Sequence, residues 1–146
     1  MTIDRSFQTE NVAERARMQA LVARLTDPDL QRSLGHRWTV ADALLHLAFW
    51  DLRAVVLMDR FGREGVGPSA MDVEAANDTV WAMGRGLPPR AAAELAVRAA
   101  ETAARRIEAL PDQLVEAILA RPDAPFTLAR HEHWREHLDD IERGLR

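Results

Sequence analysis

The chain of 146 residues carries a formal charge of −4 and contains no cysteine, lysine or tyrosine. This composition excludes disulfides, thiolate metal ligands, a cysteine nucleophile and a Schiff-base lysine. A negative charge without a basic run argues against nucleic acid as a partner. The N-terminal segment MTIDRSFQTE has no apolar signal region, and no stretch approaches the roughly 18 apolar residues of a transmembrane helix. We therefore expect one cytoplasmic domain, residues 1–146, that binds neither nucleic acid nor a membrane.

Two long helices are predicted in the first half of the chain. The first runs from about Ser6 to Leu25, and the segment TDPD closes it. Thr39 is the candidate N-cap of the second helix, Asp42 is an acidic residue in its first turn, and Gly62 is a natural stop. Apolar residues at helical spacing give the predicted buried faces: Met18, Leu21, Val22, Leu25, Val40, Leu44, Leu47, Ala54 and Met58.

The second half predicts two more long helices and two short ones. A short helix covers about residues 72–83, a long one runs from about Arg90 to Leu110, and Pro111 ends it. The segment PDQLVEAILA forms the other short helix, and Thr127 is the expected N-cap of the last long helix. The predicted inward residues are Ala96, Ala100, Ala103, Ile107, Leu110, Trp134, Leu138, Ile141 and Leu145.

Four long helices without strands predict an all-α four-helix bundle. The connection between the second and third long helices spans about 27 residues. A connection of that length permits a crossover along the bundle in place of a tight hairpin. We therefore expect an up-down-down-up order of the four helices.

Three of the five histidines fall within the heptapeptide HEHWREH, residues 131–137. His133 and His137 are four residues apart, so they share one face of the last helix, at the margin of its apolar stripe. His131 lies roughly 200° around the helix from His133 and is expected to point to solvent. The spacing of the pair alone favours solvated polar residues over a metal site, so a metal site needs a third ligand from elsewhere in the chain.

His46 is the candidate third ligand. It lies in the apolar run ALLHLAFW, where burying an imidazole without a partner costs about 1–3 kcal/mol. His46 is roughly 10 Å from the start of its helix, and the C-terminal pair is roughly 12 Å from the start of its helix and roughly 15 Å from its end. The three can therefore meet whether the two helices run parallel or antiparallel. A satisfied core histidine beside a solvated pair is the alternative.

Three neutral imidazoles, two from one helix and one from a facing helix, form a facial ligand set. Such a set suits Zn²⁺, Ni²⁺ or another borderline divalent ion and leaves positions open for water or substrate. Because protonated imidazoles cannot bind a metal, binding at this site should weaken below about pH 6.

Other side chains are candidates for supporting roles. Glu136, next to the C-terminal pair, is the candidate catalytic base, and a solvated surface carboxylate is the alternative. Asp42, one turn before His46, is a candidate to orient that imidazole. Arg37 and Arg130 are candidates to attract an anionic substrate. The tryptophans either line a pocket or belong to a core or interface; they are Trp38, Trp50, Trp81 and Trp134.

The segments WTVADALLHLAFWD and HWREHLDDIE resemble the DinB superfamily of four-helix bundles. The resemblance points to the branch that holds the N-terminal domain of mycothiol-dependent maleylpyruvate isomerases and the ClbS/DfsB-like proteins. The segment MDVEAANDTVWA resembles the family's short helix, with Asn77 where an asparagine is often found. In that family, a histidine in the W(T/S) helix and a terminal HxxxH motif hold a divalent metal. The resemblance therefore implies His46, His133 and His137 as metal ligands.

The resemblance also implies the up-down-down-up order, a homodimer and a small-molecule substrate. Characterised relatives include isomerases and transferases that use mycothiol, bacillithiol or glutathione, and a hydrolase. The function implied is a metal-dependent enzyme that activates either an external thiol or water. A non-catalytic helical module that sequesters a small molecule or binds a partner is the alternative.

Overall fold

The computed structural model describes residues 3–146, and over that range the chain forms seven α-helices and no β-strand. The all-α class expected from the sequence is therefore confirmed. The helices are α1 (Phe7–Arg24), α2 (Asp27–Leu30), α3 (Val40–Glu64), α4 (Val73–Gly84), α5 (Pro89–Ala109), α6 (Asp112–Leu119) and α7 (Arg130–Leu145). None of these helices is long and apolar enough to cross a lipid bilayer.

Helix α2 was not predicted as a separate helix. The Thr26 side chain accepts a hydrogen bond from the Asp29 backbone N–H, and the Asp29 carboxylate accepts one from the Thr26 N–H. This reciprocal capping box begins a new helix immediately after the residues that end α1. The segment TDPD therefore both closes one helix and starts the next.

Helix α3, which carries His46, begins at the predicted position and ends later than predicted. Thr39 is its N-cap, and Asp42 completes a second capping box by accepting from the Thr39 N–H at 3.0 Å. The predicted stop at Gly62 is wrong, because the helix continues to Glu64. Gly65 follows with φ +86°, a conformation that favours glycine and commonly ends helices. Phe61, buried in the last turn, keeps that turn packed.

Helix α7 begins at Arg130, three residues after the predicted N-cap. Thr127 accepts a hydrogen bond from the Ala129 N–H instead, so the Thr127 prediction is wrong. The first turn of α7 is satisfied from another helix: Asn11 of α1 accepts a hydrogen bond at 2.9 Å from the His131 N–H. A cap supplied by a distant side chain leaves no signal in the local sequence.

The core lies among the four long helices. Helix α3 packs against α5 and α7, and α1 packs against the same two helices. Every predicted inward residue of these helices is buried except Leu110 and Leu145, which are half-buried. Helix α4, within the connection between α3 and α5, packs mainly against α3. This arrangement brings the first half of α3 and the first half of α7 side by side.

Candidate metal centre

The three predicted ligands meet at one point between α3 and α7. The Nε2 atoms of His46 and His133 lie 3.0 Å apart. One ring nitrogen from each of His46, His133 and His137 lies within 4.8 Å of the other two. A tetrahedral ion with nitrogen ligands at about 2.0–2.1 Å requires separations of about 3.4 Å between those nitrogens. The separations observed here, 3.0 Å in one pair and at most 4.8 Å in the set, lie on either side of that value, so the residues fit a divalent ion.

A buried ion pair fixes α7 against α3 next to these histidines. Asp51 is fully buried and Arg130 is 5% exposed. The Arg130 Nε donates to Asp51 Oδ1 at 2.9 Å, and the Trp134 indole donates to Oδ2 at 2.7 Å. Since both carboxylate oxygens are satisfied, the buried charge is tolerated. The expectation that Arg130 attracts an anionic substrate is wrong, because Asp51 neutralises it inside the protein.

Two tryptophans form the walls of the site. The Trp38 ring centroid lies 4.7 Å from that of His46 and 6.4 Å from that of His137. The Trp50 ring centroid lies 6.3 Å from that of His46. Trp38 is held by a turn in which Gly35 adopts φ +90° and the Leu34 N–H donates to the Trp38 carbonyl. These rings restrict the access of water to His46, which is 6% exposed.

The surroundings favour neutral imidazoles. Burial lowers the pKa of His46 to about 4, and the neighbouring His137 adds to this effect. Burial also lowers the pKa of His133 to about 3, with further contributions from His137 and Arg130. For His137, burial lowers the pKa while Glu136 and Asp140 act against it.

Neutral imidazoles are the form that binds a metal. The expected loss of metal binding below about pH 6 assumed an ordinary imidazole. Since two of the three pKa values lie well below 6.5, that loss is now expected at lower pH.

His131 does not point to solvent, so that expectation is wrong. It is 8% exposed, and its Nδ1 donates to Asn11 Oδ1 at 2.9 Å. The side chain points well away from His133 around α7, and there it meets α1 rather than water. His131 therefore belongs to the contact between α1 and α7 and not to the three-histidine cluster.

The proposed role of Asp42 in orienting His46 is also wrong. One Asp42 oxygen caps α3 and the other pairs with Arg85. Arg37 pairs with Asp78, so its charge is already neutralised and the expected role in attracting an anion is not supported.

The four tryptophans have different environments. Trp134 is a fully buried core residue, and Trp38 and Trp50 flank the histidines. Trp81 contacts the guanidinium groups of Arg37 and Arg85, which lie 4.8 and 4.3 Å from its ring centroid. Only two of the four tryptophans therefore line the candidate site.

Two residues near the site, Asp51 and His36, were missed by sequence reasoning. Asp51 left a usable signal, because a carboxylate inside the apolar face of a helix needs a partner. His36 lies at the turn before α3, where its Nδ1 accepts from the Trp38 N–H at 3.1 Å. The turn lies near the three histidines only in the folded chain, so the spacing of residues in the sequence could not identify His36.

A second concave feature lies outside the three-histidine site. A groove of about 400 Å³ is lined by side chains of α3, α4 and α5, among them Leu52, Val56 and Met83. Its lining is almost entirely apolar, and all three of these side chains are exposed. None of the three histidines lines this groove.

Comparison with known proteins gives a family assignment. Residues 12–141 match the profile of the family described as mycothiol maleylpyruvate isomerase N-terminal domain. The matched range contains all three clustered histidines. No curated protein and no solved structure matches the chain at a significant level. Since the match covers most of its length, the chain belongs to the mycothiol maleylpyruvate isomerase N-terminal domain family, within the DinB-like superfamily.

Proposed function

We propose that this protein binds one divalent ion through His46, His133 and His137 and uses it as an enzyme to activate a low-molecular-weight thiol. The observation that carries the proposal is the convergence of three neutral imidazoles within 4.8 Å of one another. Membership of a family named for a mycothiol-dependent isomerase supports the thiol. The reaction is transfer or isomerisation of a small-molecule substrate. Zn²⁺ and Ni²⁺ are the ions that suit three nitrogen ligands.

In the proposed reaction the ion activates the thiol or water, and side chains of the protein shape the site around it. A bound divalent ion lowers the pKa of a thiol or water that it holds. Since the chain has no cysteine, the thiol must come from a separate molecule: mycothiol first, with bacillithiol and glutathione as alternatives. Trp38 and Trp50 exclude water beside His46, and the half-exposed His133 and His137 leave their side of the site open.

Glu136 is the proposed proton acceptor at the open side. It is exposed, and its negative charge raises the pKa of His137, which opposes the lowering of that pKa by burial. A carboxylate at that position can take the proton of an incoming thiol or water. Substitution by glutamine should therefore leave metal binding intact and lower turnover.

We also propose that the four long helices form one four-helix bundle domain in up-down-down-up order. Contacts between α1 and α7 support parallel axes, because Asn11 bonds to His131 and Arg17 pairs with Asp139 further along both helices. Contacts between α3 and α7 support opposite directions. The homodimer and the cytoplasmic location stay predictions.

The direction of α5 is supported in the same way. Arg5, before α1, donates to the Leu110 carbonyl at the end of α5. Arg90, at the start of α5, donates to the Leu25 carbonyl at the end of α1. These two contacts support an antiparallel α1 and α5, as the proposed order requires.

Cobalt-substituted protein provides the test of thiol activation. Co²⁺ is loaded in place of the native ion, and mycothiol, bacillithiol and glutathione are added separately while absorption is recorded. We expect a sulfur-to-cobalt charge-transfer band with at least one thiol, and none in His46→Ala. Absence of the band with all three thiols, together with metal-dependent ester or amide hydrolysis, would contradict thiol activation and favour water.

A second candidate function is non-catalytic binding of an apolar small molecule. The apolar groove of about 400 Å³ is the observation that favours it. The two functions differ in what His46→Ala does. A metal-dependent enzyme loses activity in that variant, whereas a sequestering protein retains its ligand, because His46 does not line the groove.

A further inference from the structure

The second ring nitrogen of His46 is buried and lacks a hydrogen bond. His46 is 6% exposed, its Nε2 faces His133, and its Nδ1 has no hydrogen-bond partner among residues 3–146. A neutral imidazole carries one N–H and one lone pair. If Nε2 is to offer its lone pair to an ion, Nδ1 has to carry the proton and needs an acceptor nearby.

Asn77 of α4 is joined to the surroundings of His46 through Trp50, whose ring centroid lies 6.3 Å from that of His46. Burial lowers the pKa of His46, and the Asn77 carboxamide acts in the opposite direction, as an acceptor close to a ring N–H does. Trp50, one helical turn after His46, donates its indole N–H to Asn77 Oδ1 at 3.0 Å. An indole can only donate, so this bond turns the carbonyl oxygen of Asn77 towards α3.

Asp42, one turn before His46, makes no hydrogen bond to His46 Nδ1. Both oxygens of Asp42 are engaged, one by the Thr39 N–H and one by Arg85. A carbonyl oxygen has two lone pairs, so Asn77 Oδ1 can accept from Trp50 and still accept a second hydrogen bond. Asn77 is half-buried, which limits competition from water for that second position.

We propose that Asn77, held by Trp50, is a positioning residue that accepts a hydrogen bond from His46 Nδ1–H and so directs the Nε2 lone pair to the metal. This inference rests on the proposed metal site and deepens it. It makes α4 part of the centre, although α4 supplies no ligand. In the metal-free protein, His133 Nε2–H then donates to His46 Nε2, consistent with their 3.0 Å separation.

The test uses two readouts on the full chain. Zinc affinity is measured for wild type, Asn77→Leu, Asn77→Asp and the control Thr79→Val, an exposed α4 position. We expect Asn77→Leu to bind zinc about 10–100-fold more weakly, the usual effect of losing a partner of a ligating histidine. Asn77→Asp keeps an acceptor oxygen, so its zinc affinity should stay within a few-fold of the wild-type value. Thr79→Val should have the wild-type zinc affinity.

The second readout is the tautomer of His46 in metal-free protein, from long-range ¹⁵N NMR correlations of the ring. We expect the Nδ1–H form in wild type and its loss in Asn77→Leu. An Nε2–H form in wild type would overturn the proposal, as would wild-type zinc affinity in Asn77→Leu. If wild type binds no zinc, the proposed function fails, whereas the tautomer still decides the role of Asn77. Should Asn77→Leu fail to fold, the same two readouts are taken on Trp50→Phe, which removes the indole N–H that holds Asn77. We expect this variant to bind zinc more weakly than wild type, and wild-type zinc affinity would overturn the proposal.

Discussion

At the scale of single residues, His46, His133 and His137 lie on apolar helix faces where a charged imidazole is disfavoured. The apolar run around His46 and the four-residue spacing of the other two showed only that the three can meet, and the family resemblance favoured their meeting over a solvated pair. What the sequence could not supply was the partner of each second nitrogen. Asp42 is one turn from His46 in sequence, but capping α3 and pairing with Arg85 occupy its oxygens.

The lowered pKa values predict how the stability of the metal-free protein depends on pH. In the unfolded chain these imidazoles take up protons below about pH 6.5, whereas His46 and His133 in the folded chain do so only near pH 4 and pH 3. Between these limits the unfolded state binds more protons, so the free energy of unfolding falls as pH falls. The loss should begin near pH 6.5 and level off near pH 3.

Urea unfolding of chelator-treated protein at pH 7.5, 5.5 and 4.5 measures this dependence. Carboxylates also contribute to acid destabilisation, so the informative quantity is the difference between wild type and His133→Leu. We expect a shallower pH dependence in the variant, which has one buried imidazole fewer. Equal slopes for the two proteins would show that His133 is not held neutral by the fold.

At the scale of helices, apolar periodicity predicted which faces are buried and which segments are helical. The ends of helices were less predictable, because they depend on groups far away in the chain. Thr127 has the right residue type for an N-cap, but Asn11 satisfies the first turn of α7 and also binds the His131 ring. Because of the same contact, His131 is buried, although the sequence predicted it at the surface.

Replacing Asn11 by alanine tests this cap between helices. The substitution leaves the His131 N–H, the His131 ring and the Leu128 carbonyl without their partner. Since an unsatisfied buried polar group costs about 1–3 kcal/mol, we expect a loss of at least about 2 kcal/mol in the free energy of unfolding. Thr9→Ala, at an exposed position of α1, is the matched control and should cost less than about 0.5 kcal/mol. A loss of that small size in Asn11→Ala would contradict the assignment.

At the scale of the whole molecule, the histidines connect helices that are far apart in the sequence. His46 and His133 are separated by 87 residues, and the Asp51–Arg130 pair joins the same two helices beside them. An ion bound at this point therefore stabilises the folded chain, by about 2.7 kcal/mol at a free concentration one hundred times the Kd. Folding and metal binding should be coupled, although the apolar core packs α3 against α7 without the ion.

The metal content of the purified protein tests the central claim most directly. Wild type, His46→Ala, His133→Ala, His137→Ala and the control His36→Ala are dialysed against a low concentration of Zn²⁺ and analysed by mass spectrometry of the bound metal. The account predicts one zinc per chain in wild type and in His36→Ala, and loss of zinc in each of the other three variants. No zinc in wild type, or a full equivalent retained in His46→Ala, would contradict it.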